Sequence, residues 1–305
     1  MPVLTSPSGA LPMRFRRQRV LIIGCGDVGL RAAAALPAHV RVLALTSTPA
    51  RQGELRARGI TPLPGNLDQP ATLRRLAGLA DRVLHLAPPP GEGPGDPRTR
   101  ALLRALRLRT PPAALVYGST SGVYGDCGGA RVSETRPLRA DTARARRRVA
   151  AERQVRFYGR GAGVPSSILR IPGIYAPDRE GGTPRERLLR GTPVLRAEDD
   201  VYTNHIHADD LARACVAALW RGGPQRVYHV NDDGQLKMGD YFDLAARLYG
   251  LPQPKRISRA EARQELSPML LSFMSESRRM DNTRMKQELR VRLGYPTVLE
   301  GLRES

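Results

Sequence analysis

The sequence predicts an α/β fold: a Rossmann-type doubly wound parallel sheet covered by helices on both faces, with a small interleaved C-terminal substrate lobe. Three observations carry this. Short apolar runs recur between stretches of helical character, an alternation that buries strands on both sides and needs crossover helices. The first run, Arg19 to Ile23, breaks into Gly24-Cys25-Gly26-Asp27-Val28-Gly29 and continues as Leu30-Arg31-Ala32-Ala33-Ala34-Ala35-Leu36, which reads as strand, tight turn and helix. A chain of 305 residues with 41% hydrophobic content is also long enough to bury a large core.

Taken in order, the apolar runs predict strands at 19–23, 40–45, 60–63, 82–86, 113–118, 166–170, 202–206 and 226–230. Helices are expected over 28–36, 50–58, 70–78, 97–107, 141–158, 209–220 and 238–249. Asp209-Asp210 ahead of Leu211-Ala212-Arg213-Ala214 places carboxylates at the positive end of a helix dipole. Pro88 to Pro97 reads as a surface loop above the fourth strand. Residues 18–177 and 201–235 are assigned to the sheet domain, and 178–200 and 236–305 to the substrate lobe, because the latter segments fit the alternation less well. Residues 1–17, broken by Pro2, Pro7 and Pro12, read as a flexible tail without the basic-then-apolar layout of a signal peptide.

The net charge is +20, which raises the question of a nucleic-acid partner. Composition argues against one: only Lys237, Lys255 and Lys286 are lysines, the arginines are spread along the chain, and aromatics are 5%, leaving little for bases to stack on. Attraction to phosphorylated small molecules fits better. Cys25, Cys127 and Cys215 have neither disulfide nor zinc spacing, and no run is long enough to span a membrane, so a cytoplasmic protein is expected.

The glycine turn gives the first functional expectation. Gly24 permits the turn, Gly26 lets the backbone approach a pyrophosphate, and Gly29 lets the helix pack on its strand, so Gly24, Cys25, Gly26, Asp27, Val28 and Gly29 are candidate cofactor contacts. In such folds an acid at the end of the second strand accepts bonds from the ribose 2′-hydroxyl and repels a 2′-phosphate. Here that end is Thr46-Ser47-Thr48-Pro49-Ala50-Arg51, without Asp or Glu. Thr46, Ser47 and Arg51 suit a 2′-phosphate, so NADP is favoured over NAD. The plainer alternative makes Thr46 to Thr48 turn residues and Arg51 a solvated side chain.

Further segments resemble the extended short-chain dehydrogenase/reductase superfamily, the NAD-dependent epimerase/dehydratase type, and especially its atypical members. Gly65-Asn66-Leu67-Asp68 resembles the adenine-contacting turn, with Asn66 in place of an acid, and Leu84-His85-Leu86-Ala87-Pro88 resembles the fourth-strand segment beside the cofactor. Val116-Tyr117-Gly118-Ser119-Thr120-Ser121-Gly122-Val123-Tyr124-Gly125 resembles the fifth-strand motif and puts Thr120 in the catalytic Ser/Thr slot. Leu169-Arg170-Ile171-Pro172-Gly173-Ile174-Tyr175-Ala176-Pro177 resembles the loop at the nicotinamide end, and His205-Ile206-His207-Ala208-Asp209-Asp210-Leu211-Ala212 a further family segment. The resemblance implies cofactor contacts from Asn66, Leu67, Ala87, Pro88, Thr120, Pro172 and Ile174. It also implies a homodimer paired through the helix at 141–158.

The family's chemistry rests on Y-x-x-x-K. Aligned by Ala150-Ala151-Glu152, this chain has Arg144 in the tyrosine slot and Arg148 in the lysine slot. Arginine stays protonated, so Arg144 cannot shuttle a proton as the tyrosine does, whereas Arg148 can still bind ribose or phosphate. Thr120, Tyr124 and Tyr175 are the candidate catalytic residues, the tyrosines having a purely packing role as their alternative. Arg144, Arg146, Arg147, Arg148 and Arg153 either bind an anionic small-molecule substrate or form a solvated helix face. Gly118 to Gly122 mimics a nucleophile elbow but is centred on threonine, and His205-x-His207 fits a strand entering a helix without metal, so neither hydrolase nor metal chemistry is expected. Two functions remain open at this point: an NAD(P)-dependent oxidoreductase or epimerase/dehydratase acting on a carbonyl, alcohol or nucleotide-sugar-like substrate, and a non-catalytic NAD(P)-binding sensor.

Overall fold

The structure is a computed structural model that describes residues 17–303, so the expected tail lies outside the described residues except for Arg17. Its strands are β1 (Arg19–Ile23), β2 (Arg41–Thr46), β3 (Thr61–Pro64), β4 (Arg82–His85), β5 (Ala114–Thr120), β6 (Arg131–Val132), β7 (Ser166–Ile171), β8 (Gly173–Tyr175), β9 (Val194–Leu195), β10 (His205–His207), β11 (Val227–His229), β12 (Arg256–Ile257) and β13 (Arg279–Met280). Seven form one parallel sheet in the order β11-β7-β5-β4-β1-β2-β3. The chain runs outward from β1 to β3, then returns to lay β4 on the other side of β1. That reversal opens a crevice at the C-terminal ends of β1 and β4, where sheets of this kind bind ligands.

The helices are α1 (Asp27–Ala34), α2 (Arg51–Ala57), α3 (Pro97–Leu106), α4 (Ala143–Ala162), α5 (Arg185–Leu189), α6 (Ala208–Arg221), α7 (Met238–Tyr249), α8 (Arg259–Glu265), α9 (Pro268–Phe273) and α10 (Val298–Arg303). Strand alternation explains the layering. Val20 and Ile22 point to the face covered by α1 and α6, where Ala32, Leu211, Cys215 and Leu219 pack, whereas Leu21 and Ile23 point to Leu102 and Leu106 of α3 and Val155 and Tyr158 of α4. Each large aliphatic buried this way contributes about 1.5–3 kcal/mol. A third core gathers Tyr175, Leu188, Val194, Val201, Phe242, Ile257 and Leu302 beyond the crevice.

Three expectations are corrected. The strand expected at 202–206 is shorter and shifted, and as β10 it pairs with β8 in a separate two-stranded ladder rather than the central sheet. The helix expected at 70–78 is a 3₁₀ turn, Pro70–Leu76. The helix expected to stop at 158 continues to Ala162, because Gly159 acts as a packing residue: a Cβ there would lie 2.6 Å from Ser166 Oγ. Gly163, with φ +64, is the glycine that ends α4. In addition, Met285, Leu289 and Val291, from the stretch assigned to the lobe, pack on the sheet's α1–α6 face.

Candidate functional site

The crevice begins at the turn after β1. Gly24 has φ +87, and a Cβ on it would lie 2.4 Å from the Ala87 nitrogen; a Cβ on Gly29 would lie 2.9 Å from the Gly24 carbonyl oxygen. Both glycines are therefore demanded by the backbones around them. Gly26 differs, since a Cβ there meets nothing within 4 Å and would only fill the open space above the loop. The first bond of α1 runs from Leu30 N–H to the Gly26 carbonyl at 2.8 Å, leaving the N–H groups of Asp27, Val28 and Gly29 at the helix start. The Asp27 carboxylate is held by Arg31 at 2.9 Å and Arg179 at 3.1 Å, and Arg31 also binds Asp178 and Asp209, tying α1 to the segment after β8 and to α6.

At the end of β2, Thr46 is buried and its hydroxyl bonds the backbone of Thr48 within the turn, while Ser47 is exposed. Arg51 does not run out into solvent. Its Nη2 donates to the Cys25 carbonyl at 2.9 Å, which lays the guanidinium over the glycine loop. Burial pushes the Cys25 thiol up to about 11, so it stays protonated. The Asn66 Oδ1 accepts from Asp68 N–H, Leu67 packs on the core beneath, and Asp68 is clamped bidentately by Arg98 at 2.7 and 2.6 Å.

Two cavities open from this end. The first, about 400 Å³, is lined by Val28, Pro88 to Gly91 of the proline-rich loop, and Arg148; the second, about 740 Å³, reaches the third core. Thr120, Arg144, Pro172 and Ile174 line both, so the two form one continuous cleft with these four residues at its waist. The Thr120 hydroxyl oxygen accepts from Gly122 N–H at 3.3 Å and keeps its proton available to donate. One helical turn separates Arg144 from Arg148 on α4, so both reach the cleft. Arg148 Nη1 donates to the Gly118 carbonyl at 2.7 Å and to the Tyr117 hydroxyl at 3.1 Å. Arg147 also faces the cleft, whereas Arg146 bonds the Asp141 carbonyl in solvent and Arg153 faces another groove, so the arginine run divides among three environments.

Neither candidate tyrosine lines the cleft. Tyr124 is buried behind it, receiving a bond from Arg170 Nη1 at 2.6 Å and meeting His229 Nε2 at 2.5 Å, and burial pushes its phenol up to about 12. Tyr175 is buried in the third core with its hydroxyl on the Thr297 carbonyl at 3.2 Å, and burial raises its pKa too. Tyr175 follows Ile174, which lines the cleft, and takes the other side of β8, whereas Tyr124 closes the 3₁₀ turn Ser121–Tyr124 after β5 and is buried with Val123 and Val149.

Sequence reasoning missed the network under the waist. Ser119 donates to buried Glu152 at 2.7 Å, and the same carboxylate takes a bidentate pair from buried Arg170 at 3.1 and 2.7 Å. No short motif links these positions; they meet because α4 lies across β5 and β7. It also missed the far wall of the cleft. Arg187 lies over the Phe242 ring at 4.3 Å, and its Nε and Nη2 are buried with no hydrogen-bond partner among the described residues. Arg278 pairs with Glu276 at 2.8 Å, while its Nε likewise has none. His205, beside Tyr241, is held neutral by burial, its pKa lowered to about 4. His207 accepts from Asp209 N–H at 3.2 Å and stacks on Tyr295, the capping role that its place before a helix predicts.

The sequence profile described as the NAD dependent epimerase/dehydratase family matches residues 20–230, which takes in the sheet, the glycine loop and the waist of the cleft. The chain belongs to that family. Among solved structures, this family member is similar to a functionally unknown conserved protein from Silicibacter pomeroyi DSS, at 31% identity and a TM-score of 0.77, over 94% of this chain and 97% of the other. It shares its fold with the UDP-glucuronic acid 4-epimerase from Bacillus cereus in complex with NAD, at 19% identity and a TM-score of 0.73, over 94% and 96%. The UDP-glucose 4-epimerase with UDP-glucose from Thermotoga maritima aligns with a TM-score of 0.75 at 18% identity, over the same shares. A curated relative is the trifunctional UDP-glucose 4,6-dehydratase/UDP-4-keto-6-deoxy-D-glucose 3,5-epimerase/UDP-4-keto-L-rhamnose-reductase of Arabidopsis thaliana, 24% identical over 176 residues, or 54% of this chain and 26% of that protein. The match thus spans about a quarter of the curated relative's length. Among the described residues no helix is long and apolar enough to cross a membrane, and no group of three or more His, Cys, Asp or Glu is placed to hold a metal ion.

Proposed function

We propose that this protein binds a nicotinamide dinucleotide at the glycine-loop end of the cleft and acts, as an oxidoreductase or epimerase, on an anionic, nucleotide-sugar-like substrate at the far end. The observation that carries the substrate reading is Arg187: it lines the far end of the cleft, and its guanidinium has no carboxylate or hydrogen-bond partner among the described residues, so an anionic ligand there would offset its charge. Of the named epimerases sharing this fold, one is in complex with NAD and the other with UDP-glucose, which fits. For the cofactor, the open space over Gly26 and the N–H groups of Asp27, Val28 and Gly29 suit a pyrophosphate, and Arg148 stands where it can meet a ribose. Arg51 over the loop, with no acid among residues 46–51, supports NADP.

A bound nicotinamide would exchange hydride with a carbonyl or alcohol carbon. Thr120 is positioned at the waist to hydrogen-bond the substrate oxygen, and Arg144, a permanent cation beside it, supplies electrostatic stabilisation of negative charge developing on that oxygen rather than a transferable proton. A cytoplasmic location fits the three cysteines, none disulfide-bonded. A homodimer through α4 is supported by Phe157 and Leu108, which are 68% and 57% exposed.

The test is a fluorescence titration with NADPH and NADH, followed by UDP-glucose and UDP-glucuronic acid turnover monitored by nicotinamide absorbance and product chromatography. Tight dinucleotide binding with turnover is expected, abolished or strongly reduced in Thr120→Ala. Binding without turnover across a wider panel of nucleotide sugars and carbonyl compounds would leave the sensor function in its place.

A further inference from the structure

A second basic cavity, apart from the cleft, lies between α4 and the edge strand β11. Its volume is about 500 Å³, and six arginines from separate segments converge on it: Arg136, Arg153, Arg156, Arg170, Arg226 and Arg284. Three of them are neutralised. Arg170 is held by Glu152, Arg226 by Glu288, and Arg284 lies 3.7 Å from Glu134 and 3.9 Å from Glu288. The guanidinium groups of Arg136, Arg153 and Arg156 make no hydrogen bond or ion pair with any described residue. Arg136 and Arg156 are moreover half-buried, and Arg156 lies in the opposing fields of Glu152 and of Arg170, which already pair with each other.

Like charges gathered in a partly dehydrated concavity repel each other and gain little from water. A counter-ion that several of them share removes that cost. The wall also limits what the ligand is. Among the described residues it contains no Phe, Tyr, Trp or His, so nothing stacks on a nucleobase, and its concave form suits a small molecule. Planar guanidinium forks pair two N–H groups at a time with phosphate oxygens.

We propose that this groove is a second ligand site that takes a small phosphate-bearing anion, bound by Arg136, Arg153 and Arg156. None of these residues lines the cleft, so the site is independent of the proposed reaction.

The test is calorimetric titration of inorganic pyrophosphate into the full chain carrying Arg187→Gln and saturated with NADPH, so that neither the far wall nor the glycine loop of the cleft takes the probe. Saturable binding is expected, weakened roughly tenfold or more when Arg136→Gln, Arg153→Gln and Arg156→Gln are added, with the ligand-free thermal midpoint raised or held and NADPH affinity unchanged. Should the triple variant not fold, Arg153→Gln alone, at an exposed position, carries the same expectation with a smaller loss. Absence of saturable binding, binding indifferent to the groove substitutions, or equal affinity for sulfate would overturn the proposal.

Discussion

The glycines of the first turn have separable duties. Gly24→Ala must adopt φ +87 and drive its methyl into the Ala87 backbone, so it should destabilise the fold by about 1 kcal/mol or more. Gly26→Ala has extended backbone at φ −83 and open space for its methyl, so its chemical denaturation midpoint should match the wild type. Its NADPH affinity should nevertheless collapse, because the methyl stands where the pyrophosphate must approach. A Gly26→Ala variant that binds NADPH normally would move the cofactor off this loop. Arg51 tests the choice of dinucleotide at the same scale: Arg51→Glu should weaken NADPH binding by roughly tenfold or more while sparing or improving NADH, by removing a fork donor and adding a charge that repels a 2′-phosphate. Equal losses for both dinucleotides would assign Arg51 to holding the loop through Cys25 instead.

At the scale of elements, α4 is joined to β5 and β7 by one carboxylate. Glu152 accepts from Ser119 and from Nε and Nη2 of Arg170, whose Nη1 continues to Tyr124, which in turn meets His229. Removing one partner of a buried pair strands the other charge, so Arg170→Met should cost about 3–5 kcal/mol, measured as a shift in urea midpoint at constant slope. Replacing both, as Arg170→Met with Glu152→Leu, should recover much of that loss, because two buried charges leave together. A double variant that is simply additive would show that the pair is not coupled as the geometry requires. Glu152 belongs to the Ala-Ala-Glu ending used to align α4 in the sequence, yet its role was illegible there. Its partner lies 18 residues on, across a helix-to-strand crossover.

Across the whole molecule, acid sensitivity follows from histidines kept neutral by burial. Burial lowers the pKa of His85 and His229 to about 3, with nearby arginines adding to the effect, and that of His205 to about 4. Unfolded, each titrates near 6.5, so between that value and the folded pKa the unfolded chain binds more protons. Stability from these groups is therefore complete above about pH 6.5 and falls as pH drops toward 3–4. Thermal midpoints should be level from neutral pH to about 6.5 and decline below it, before most carboxylates begin to titrate. His205→Gln should flatten the first part of that decline. An unchanged pH profile in this variant would mean that His205 is hydrated in the native state.

The sequence by itself determined the alternating parallel architecture, the glycine turn and the order of the family segments. These depend on local rules: period-two burial, glycine where φ is positive, helix starts and stops. The family resemblance also implied cofactor contacts from Thr120, Pro172 and Ile174, and these three line one cleft. Only the tertiary structure decided which side chains face the cleft. Tyr175 lies one position from Ile174, which lines it, and that one-step difference in facing direction turns a candidate acid into a buried phenol, while Tyr124 is carried behind the cleft by the 3₁₀ turn Ser121–Tyr124. The arginines divided in the same way, with Arg144 and Arg148 in the cleft, Arg153 and Arg156 in the second groove, and Arg187 reaching the cleft from a separate helix. Charge and its spacing along the chain are written in sequence, but whether a cation finds a carboxylate depends on packing between segments far apart in the chain.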